Sequence, residues 1–237
     1  MLHASGLLCG RCRSRPYCSK ECQLSDWRGG HKGSCGGLAP ASSARSALSH
    51  LASLAGTAAP SGAAAAAAWL RGFSAPDCFE WLTNCYQMRC DDDYAYGGCY
   101  LHGPYDPDAT GASIAADFLV FCLLAHRRGA VPPAWPWADF LKVAAKFARF
   151  AFEKSDAQER WGSENVFSAA MGGRSLRYTG ELIYGSSMMA QKKTKEHLEL
   201  LGSAQSMPLA DLPAALFAPV GGRAPWLEFM ADVKRDE

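Results

Sequence analysis

Residues 9–35 read CGRCRSRPYCSKECQLSDWRGGHKGSC, and the reading of this stretch decides how the rest of the chain is divided. As spacing it is Cys9-x2-Cys12-x5-Cys18-x3-Cys22-x8-His31-x3-Cys35. Thiolate and imidazole pairs set two to four residues apart can grip a tetrahedral zinc ion from one turn, and two pairs fill one ion. Three pairs therefore complete one site and leave one pair over. Residues 1–36 also carry six Lys or Arg against Glu21 and Asp26. So short and polar a segment cannot build an apolar core, and it needs a metal or a disulfide to fold.

The remainder of the chain chooses between those two. The apolar run at Leu7 and Leu8 is two residues long, where a secretory signal needs roughly 7–15. Residues 63–70 are mostly alanine and only eight in number, well short of the ~20 that span a bilayer. A cytoplasmic or nuclear setting without membrane attachment is expected, and there paired cysteines are metal ligands more often than disulfides. The whole chain has 237 residues, with 24 Lys+Arg against 23 Asp+Glu, which argues against nucleic-acid binding through bulk charge. Arg11, Arg13 and Arg15 alternate along the segment, but no aromatic stacking pattern or recognition helix accompanies them, so nucleic acid is not the expected partner. A hydrophobic fraction of 49% excludes a wholly disordered chain.

The stretch resembles the MYND-type zinc finger. The resemblance rests on Tyr17-Cys18-Ser19-Lys20-Glu21-Cys22-Gln23, on Asp26-Trp27, and on His31-Lys32 with Cys35. It implies a cross-braced module in which Cys9, Cys12, His31 and Cys35 hold one Zn2+. Cys18 and Cys22 then form half of a second zinc site. The family's mate for that half is a CxxC on the N-terminal side of Cys9, and no cysteine stands there. His3 is the sole conventional soft ligand in that position, so the expectation is an N-terminally truncated module whose upstream codons encode the pair. The family binds short proline-containing peptides, and the resemblance places Gln23 and Trp27 on the peptide-facing surface. An exposed indole packs on a preformed proline-rich segment at little ordering cost. The alternative is that Trp27 covers the zinc core of a module with few other apolar residues.

Working outward, residues 37–73 are rich in Ala, Ser and Gly and read as a flexible linker, with a short helix possible at 63–70 because of alanine's propensity. Residues 74–237 read as an α-helical domain, which makes the chain mainly α. Ser74-Ala-Pro-Asp77 caps a helix running to about Cys90. Thr110 caps a second, with the stripe Ile114, Phe118, Phe121, Cys122 and Ala125, ending at His126-Arg127-Arg128-Gly129. Phe140, Val143, Ala144, Phe147 and Ala151 suggest a third. Further helices are expected at 164–171, at 180–201 and from Trp226 on, with loops at 97–108 and 172–177.

Chemistry in this domain is thinly signalled. Asp91, Asp92 and Asp93 read as a solvated turn. The loop from Asp106 to Asp117 partly imitates a calcium loop, though an Asp-Pro turn into the Thr110 cap accounts for the same residues. Cys99-x2-His102 has chelating spacing, but Cys78, Cys85 and their neighbours read as core thiols. Gly172-Gly173-Arg174-Ser175, with Arg177 and Tyr178, offers an anion-binding loop. P-loops, HExxH, nucleophile elbows and the SET-type Asn-His-x-Cys are lacking. Residues 78–185 are broadly similar to the helical extension of uncharacterised algal and fungal MYND-containing proteins, which implies no chemistry. The expected function is a zinc-binding protein–protein interaction adaptor whose finger recruits a proline-containing partner segment, rather than an enzyme. The alternative is an enzyme whose active site gathers Asp91–Asp93, His102 and Arg174–Arg177. Convergence of those groups on one pocket, with shifted protonation equilibria, would mark it.

Overall fold

The computed structural model describes residues 7–8, 15–17, 20–31, 68–70, 72–97, 100–162, 166, 175–187, 194–204 and 207–233. Two elements open the finger. The short strands β1 (Leu7–Leu8) and β2 (Pro16–Tyr17) pair antiparallel, Leu7 opposite Tyr17, and α1 (Lys20–Asp26) follows. A wider turn over Trp27–His31 continues α1 and breaks at Gly30, whose φ is 127°.

The remaining described elements are helical, so the chain is mainly α. They are α2 (Ala75–Ala95), α3 (Gly111–Arg127), α4 (Trp137–Ala144), α5 (Lys154–Trp161), α6 (Leu176–Tyr184), α7 (Lys195–Ala204), α8 (Ala214–Phe217) and α9 (Arg223–Asp232). No helix among the described residues is long and apolar enough to cross a membrane.

Local signals set the helix starts. Ser74 accepts from the Asp77 N–H and has Pro76 behind it. Thr110 and Ser113 close a reciprocal capping box, satisfying donors that the first turn leaves over. Along α3 the stripe Ile114, Phe118, Phe121, Cys122 and Ala125 is wholly buried. Phe118 lies 4.9 Å from Tyr86 of α2 and 5.1 Å from Phe229 of α9, while Phe121 lies 5.7 Å from Tyr184 of α6. α3 is thus the central rod, with α2, α6 and α9 around it.

The outline departs from the expected one in four places. α2 runs past Cys90 to Ala95 because its acidic last turns are neutralised from outside. α4 stops at Ala144 instead of reaching Ala151; the chain continues in turns, where the Gln87 side chain donates to the carbonyls of Phe147 (2.8 Å) and Phe150 (3.0 Å). The helix expected over 180–201 is two helices. Gly185, with φ of 66°, ends α6 in the left-handed conformation that glycine adopts without strain, and Thr194 Oγ1 accepts from the His197 N–H at the start of α7. Last, the core reaches back beyond Ser74. Trp69 is buried, donates Nε1–H to the Ala130 carbonyl at 2.8 Å and meets Trp135 edge-on at 6.2 Å. Phe73 packs at 5.3 Å on both Trp81 and Trp161. Of the helices expected at 63–70 and 164–171, residues 63–67 and all of the second except Val166 lie outside the described residues.

Trp69 anchors the entry to the helical core, so its truncation carries the cost of a large buried aromatic. Trp69→Ala is expected to lose about 3–5 kcal/mol of unfolding free energy, measured by urea denaturation followed by far-ultraviolet circular dichroism.

Candidate functional site

In the finger, β2 and α1 are locked by one carboxylate. Arg15 Nη1 donates to both Asp26 oxygens at 2.6 and 2.8 Å, and the Tyr17 hydroxyl donates to Oδ2 at 2.6 Å. The hydrogen bonds from Tyr17 and Arg15 hold the Asp26 carboxyl below its ordinary range. Behind this clasp His31 is 4% exposed, walled by Trp27 at 5.9 Å and Tyr17 at 6.3 Å, both edge-on. A buried imidazole held by rings beside a cysteine-rich chain suits a zinc ligand. Cys22 lies exposed on α1, and Cys9, Cys12, Cys18 and Cys35 lie outside the described residues. Gln23 and Trp27, expected on a peptide-facing surface, are 3% and 6% exposed. Their side chains pack inward here, as the covering role for Trp27 requires.

The helical domain contains a second polar constellation. Its source is the acidic triplet, which is not a solvated turn: Asp91, Asp92 and Asp93 are all buried on the last two turns of α2. Successive helical residues point about 100° apart, so each carboxylate meets a different partner. Asp91 takes the Tyr105 hydroxyl at 2.8 Å and Lys154 Nζ at 3.0 Å. Asp92 takes Arg177 at both oxygens, Nε at 2.8 Å and Nη2 at 2.7 Å. Asp93 takes Arg89 Nε at 3.0 Å through one oxygen and His102 Nε2 at 3.1 Å through the other.

His102 sits at the centre of this network. Its Nδ1 lies 2.8 Å from Asp117 Oδ2 and 3.8 Å from Cys90 Sγ, and Tyr100 covers its ring at 4.7 Å. The Tyr86 hydroxyl also donates to Asp117 Oδ2 at 2.8 Å. Arg89 extends the chain of contacts, donating from Nη1 to the Ser186 carbonyl at 2.7 Å and from Nη2 to its hydroxyl at 3.0 Å. The loop at 97–108 closes over the network through Gly103, whose φ is 54°. A methyl group there would press into the Tyr86 hydroxyl and Asp117, so the approach requires glycine.

Burial opposes a charged imidazole at His102, but the neighbouring Asp117, Cys90 and Asp93 outweigh it and hold the ring well above its ordinary range. Burial likewise raises Asp117, yet His102 and Tyr86 prevail and lower it. At Asp92 burial wins over Arg177, and the carboxyl is raised. Burial also raises the Cys90 thiol, with His102 only partly offsetting it.

Several sequence expectations are thereby sorted. Asp93 meets His102 and Asp92 meets Arg177, while Asp91 faces Tyr105 and Lys154; the protonation equilibria of Asp92, His102 and Arg177 are shifted. His102 and Asp93 are buried, at 3% and 1% exposure. Asp117 turns into the core toward His102, and Asp106 accepts from the Asp108 N–H, which dissolves the calcium-loop imitation. Ser175 caps α6 and Arg177 is committed to Asp92, removing one cation from the proposed anion loop; Gly172, Gly173 and Arg174, like Cys99, lie outside the described residues. Sequence reading does not place Cys90 and Tyr86 in a site, and it offers Asp117 only as the end of a calcium-loop imitation. The available signal was Asp117, the one charged residue within 114–125: a charge in a buried apolar stripe must have a partner.

Comparison with known proteins bears on the finger. Residues 3–35 match the family described as "MYND finger", and the N-terminal module of this chain is such a finger, with zinc as its cofactor. A curated plant protein, ubiquitin carboxyl-terminal hydrolase 19 of Arabidopsis thaliana, is 50% identical over 36 residues, which is 15% of this chain and 5% of that protein. The match thus spans a twentieth of its length. No solved structure matches the chain.

The buried and exposed ion pairs should separate on mutation. Arg89→Met keeps volume but takes from the buried Asp93 the cation at its Oδ1, leaving His102 at Oδ2, and is expected to cost about 3–5 kcal/mol. Lys154→Ala removes a solvent-exposed partner of Asp91 and should cost at most about 1 kcal/mol. Paired urea titrations of the two variants check the difference.

Proposed function

We propose that the protein is a zinc-dependent interaction adaptor in which the finger recruits a proline-containing segment of a partner protein. A MYND finger suggests an interaction module, and the observation that carries the reading is the finger's preformed frame. Asp26 ties β2 to α1 while Tyr17 and Trp27 wall the buried His31. A frame set before binding spares a partner peptide the cost of ordering it.

In this reading Cys9, Cys12, His31 and Cys35 bind one zinc ion, and Cys18 with Cys22 supply half of a second site. Trp27 serves the peptide indirectly: by packing on His31 it shapes the surface that the peptide meets, with Gln23 beside it on α1. The chain between the finger and Trp69 serves as a tether, and the helical domain offers a second interaction surface in a cytoplasmic or nuclear setting. The ubiquitin carboxyl-terminal hydrolase named for Arabidopsis is a protein of which this chain matches a twentieth, so only the shared finger informs the proposal.

The test uses the full chain and a proline-rich peptide library. The wild type is expected to select peptides, and His31→Ala to lose both its finger zinc and that binding. Trp27→Ala is expected to weaken binding about tenfold, or ~1.4 kcal/mol, while zinc content measured by elemental analysis holds. A wild type that selects no peptide, or a Trp27→Ala variant with zinc and affinity both unchanged, would overturn the recruitment role.

A further inference from the structure

Three ligand types that favour a borderline metal meet in the helical domain, on a stretch of chain remote from the finger. We propose that Cys90 Sγ, His102 Nδ1 and the Asp117 carboxylate form a buried binding site for a zinc-class divalent ion.

The geometry comes first. One atom from each residue lies within 4.8 Å of the others, and all three side chains are buried. Bond lengths of about 2.0–2.3 Å to zinc give tetrahedral edges of roughly 3.3–3.6 Å. The Cys90–His102 edge is 3.8 Å and the His102–Asp117 edge 2.8 Å, so the first must close by about 0.2 Å and the second open by about 0.5 Å. The chemistry of the set agrees: a thiolate with an imidazole selects zinc or a late first-row ion over magnesium or calcium, which prefer all-oxygen cages.

A second and independent observation points to a ligand. Asp117 is 1% exposed, and while its Oδ2 receives Tyr86 and His102, its Oδ1 has no hydrogen-bond partner. A buried carboxylate oxygen left without a donor is costly, and a metal ion supplies what it lacks, with Oδ1 as a second oxygen from the same side chain.

The surrounding shell is already of the kind that metal-bound histidine uses. His102 Nε2 faces Asp93 at 3.1 Å, and Asp93 is held in turn by Arg89; a carboxylate behind the imidazole fixes the ring and strengthens its other nitrogen as a ligand. Tyr86 donates to Asp117 from outside the set. Charge balances as well. On binding, Cys90 loses its thiol proton and His102 its Nδ1 proton, both passing to solvent, while the Nε2 proton stays toward Asp93. The ion's two positive charges then face one thiolate and one carboxylate. Because α2, the 97–108 loop and α3 each deliver one ligand, the ion would join three segments and enter as they fold together.

Two full-length variants test the site. Wild-type protein and Cys90→Ala/Asp117→Asn, both checked for native circular dichroism, are compared for zinc by elemental analysis; the double variant is expected to hold about one ion fewer per chain. In the converse experiment Cys9, Cys12, Cys18, Cys22, His31 and Cys35 are all replaced by Ala, which removes every finger ligand. After chelation, that variant is titrated with cobalt(II) alone, and is expected to bind about one ion with a thiolate-to-cobalt absorption band in the near ultraviolet. Equal zinc in the wild type and a folded double variant overturns the proposal. So does a finger variant that takes up no cobalt, a result that stands even if the double variant fails to fold. Peptide binding enters neither readout, so failure of the adaptor reading leaves this test intact.

Discussion

Three carboxylates in a row at the carboxyl end of a helix oppose one another and the negative end of the helix dipole. The chain carries that conflict into its core at Asp91, Asp92 and Asp93, and the helical domain is arranged around its resolution. Because the helix fans the three side chains apart, no single cation can serve them all. Asp91 draws in the start of α5, Asp92 the first turn of α6, and Asp93 the loop before α3 together with Arg89 of its own helix. The packing of α6 on α2 follows: Arg177 fastens its beginning, and Arg89 fastens Ser186 just beyond its end. Gly180 between them brings the helices close, since a methyl group there would already touch the Cys85 carbonyl at 3.4 Å.

The two parts of the chain meet the problem of order in opposite ways. The finger has few apolar side chains and spends them around His31, leaving the bulk of its cohesion to a metal. The helical domain has a continuous apolar core from Trp69 to Val233, into which a polar network is set. Such a network stabilises little in net terms, because the charges must be stripped of water before they attract one another. Its effect is on geometry. A helix displaced by one residue would leave a charge unmatched in a medium of low dielectric, so the network selects one arrangement of α2, α3 and α6 from the many that a greasy core tolerates.

How much of this could be read beforehand depended on distance along the chain. The caps at Ser74 and Thr110 and the stripe on α3 were legible because their causes lie within a few residues. The cysteine spacing of the finger was legible for the same reason. The triplet reads as a turn because its local context, acidic residues followed by Gly97 and Gly98, describes one, while the partners that it meets as a buried helix end lie further along at His102, Lys154 and Arg177. Gln87 holds the turns after α4 from 60 residues away, and the buried Trp69 indole finds its acceptor 61 residues on. Neither leaves a trace in its own neighbourhood.

The spacing of those partners bears on the order of synthesis. Asp93 and His102 are nine residues apart, but Asp92 waits for Arg177 across 85 residues and Arg89 for Ser186 across 97. At a ribosome adding about 5–20 residues per second, that interval is on the order of ten seconds. During it Asp92 at the end of α2 is without Arg177, and the side of α2 where α6 will dock stays open. Of the clasps on the acidic triplet and Arg89, those made by α6 and Ser186 close last, so this polar network fixes its arrangement only once more than three quarters of the chain has been made.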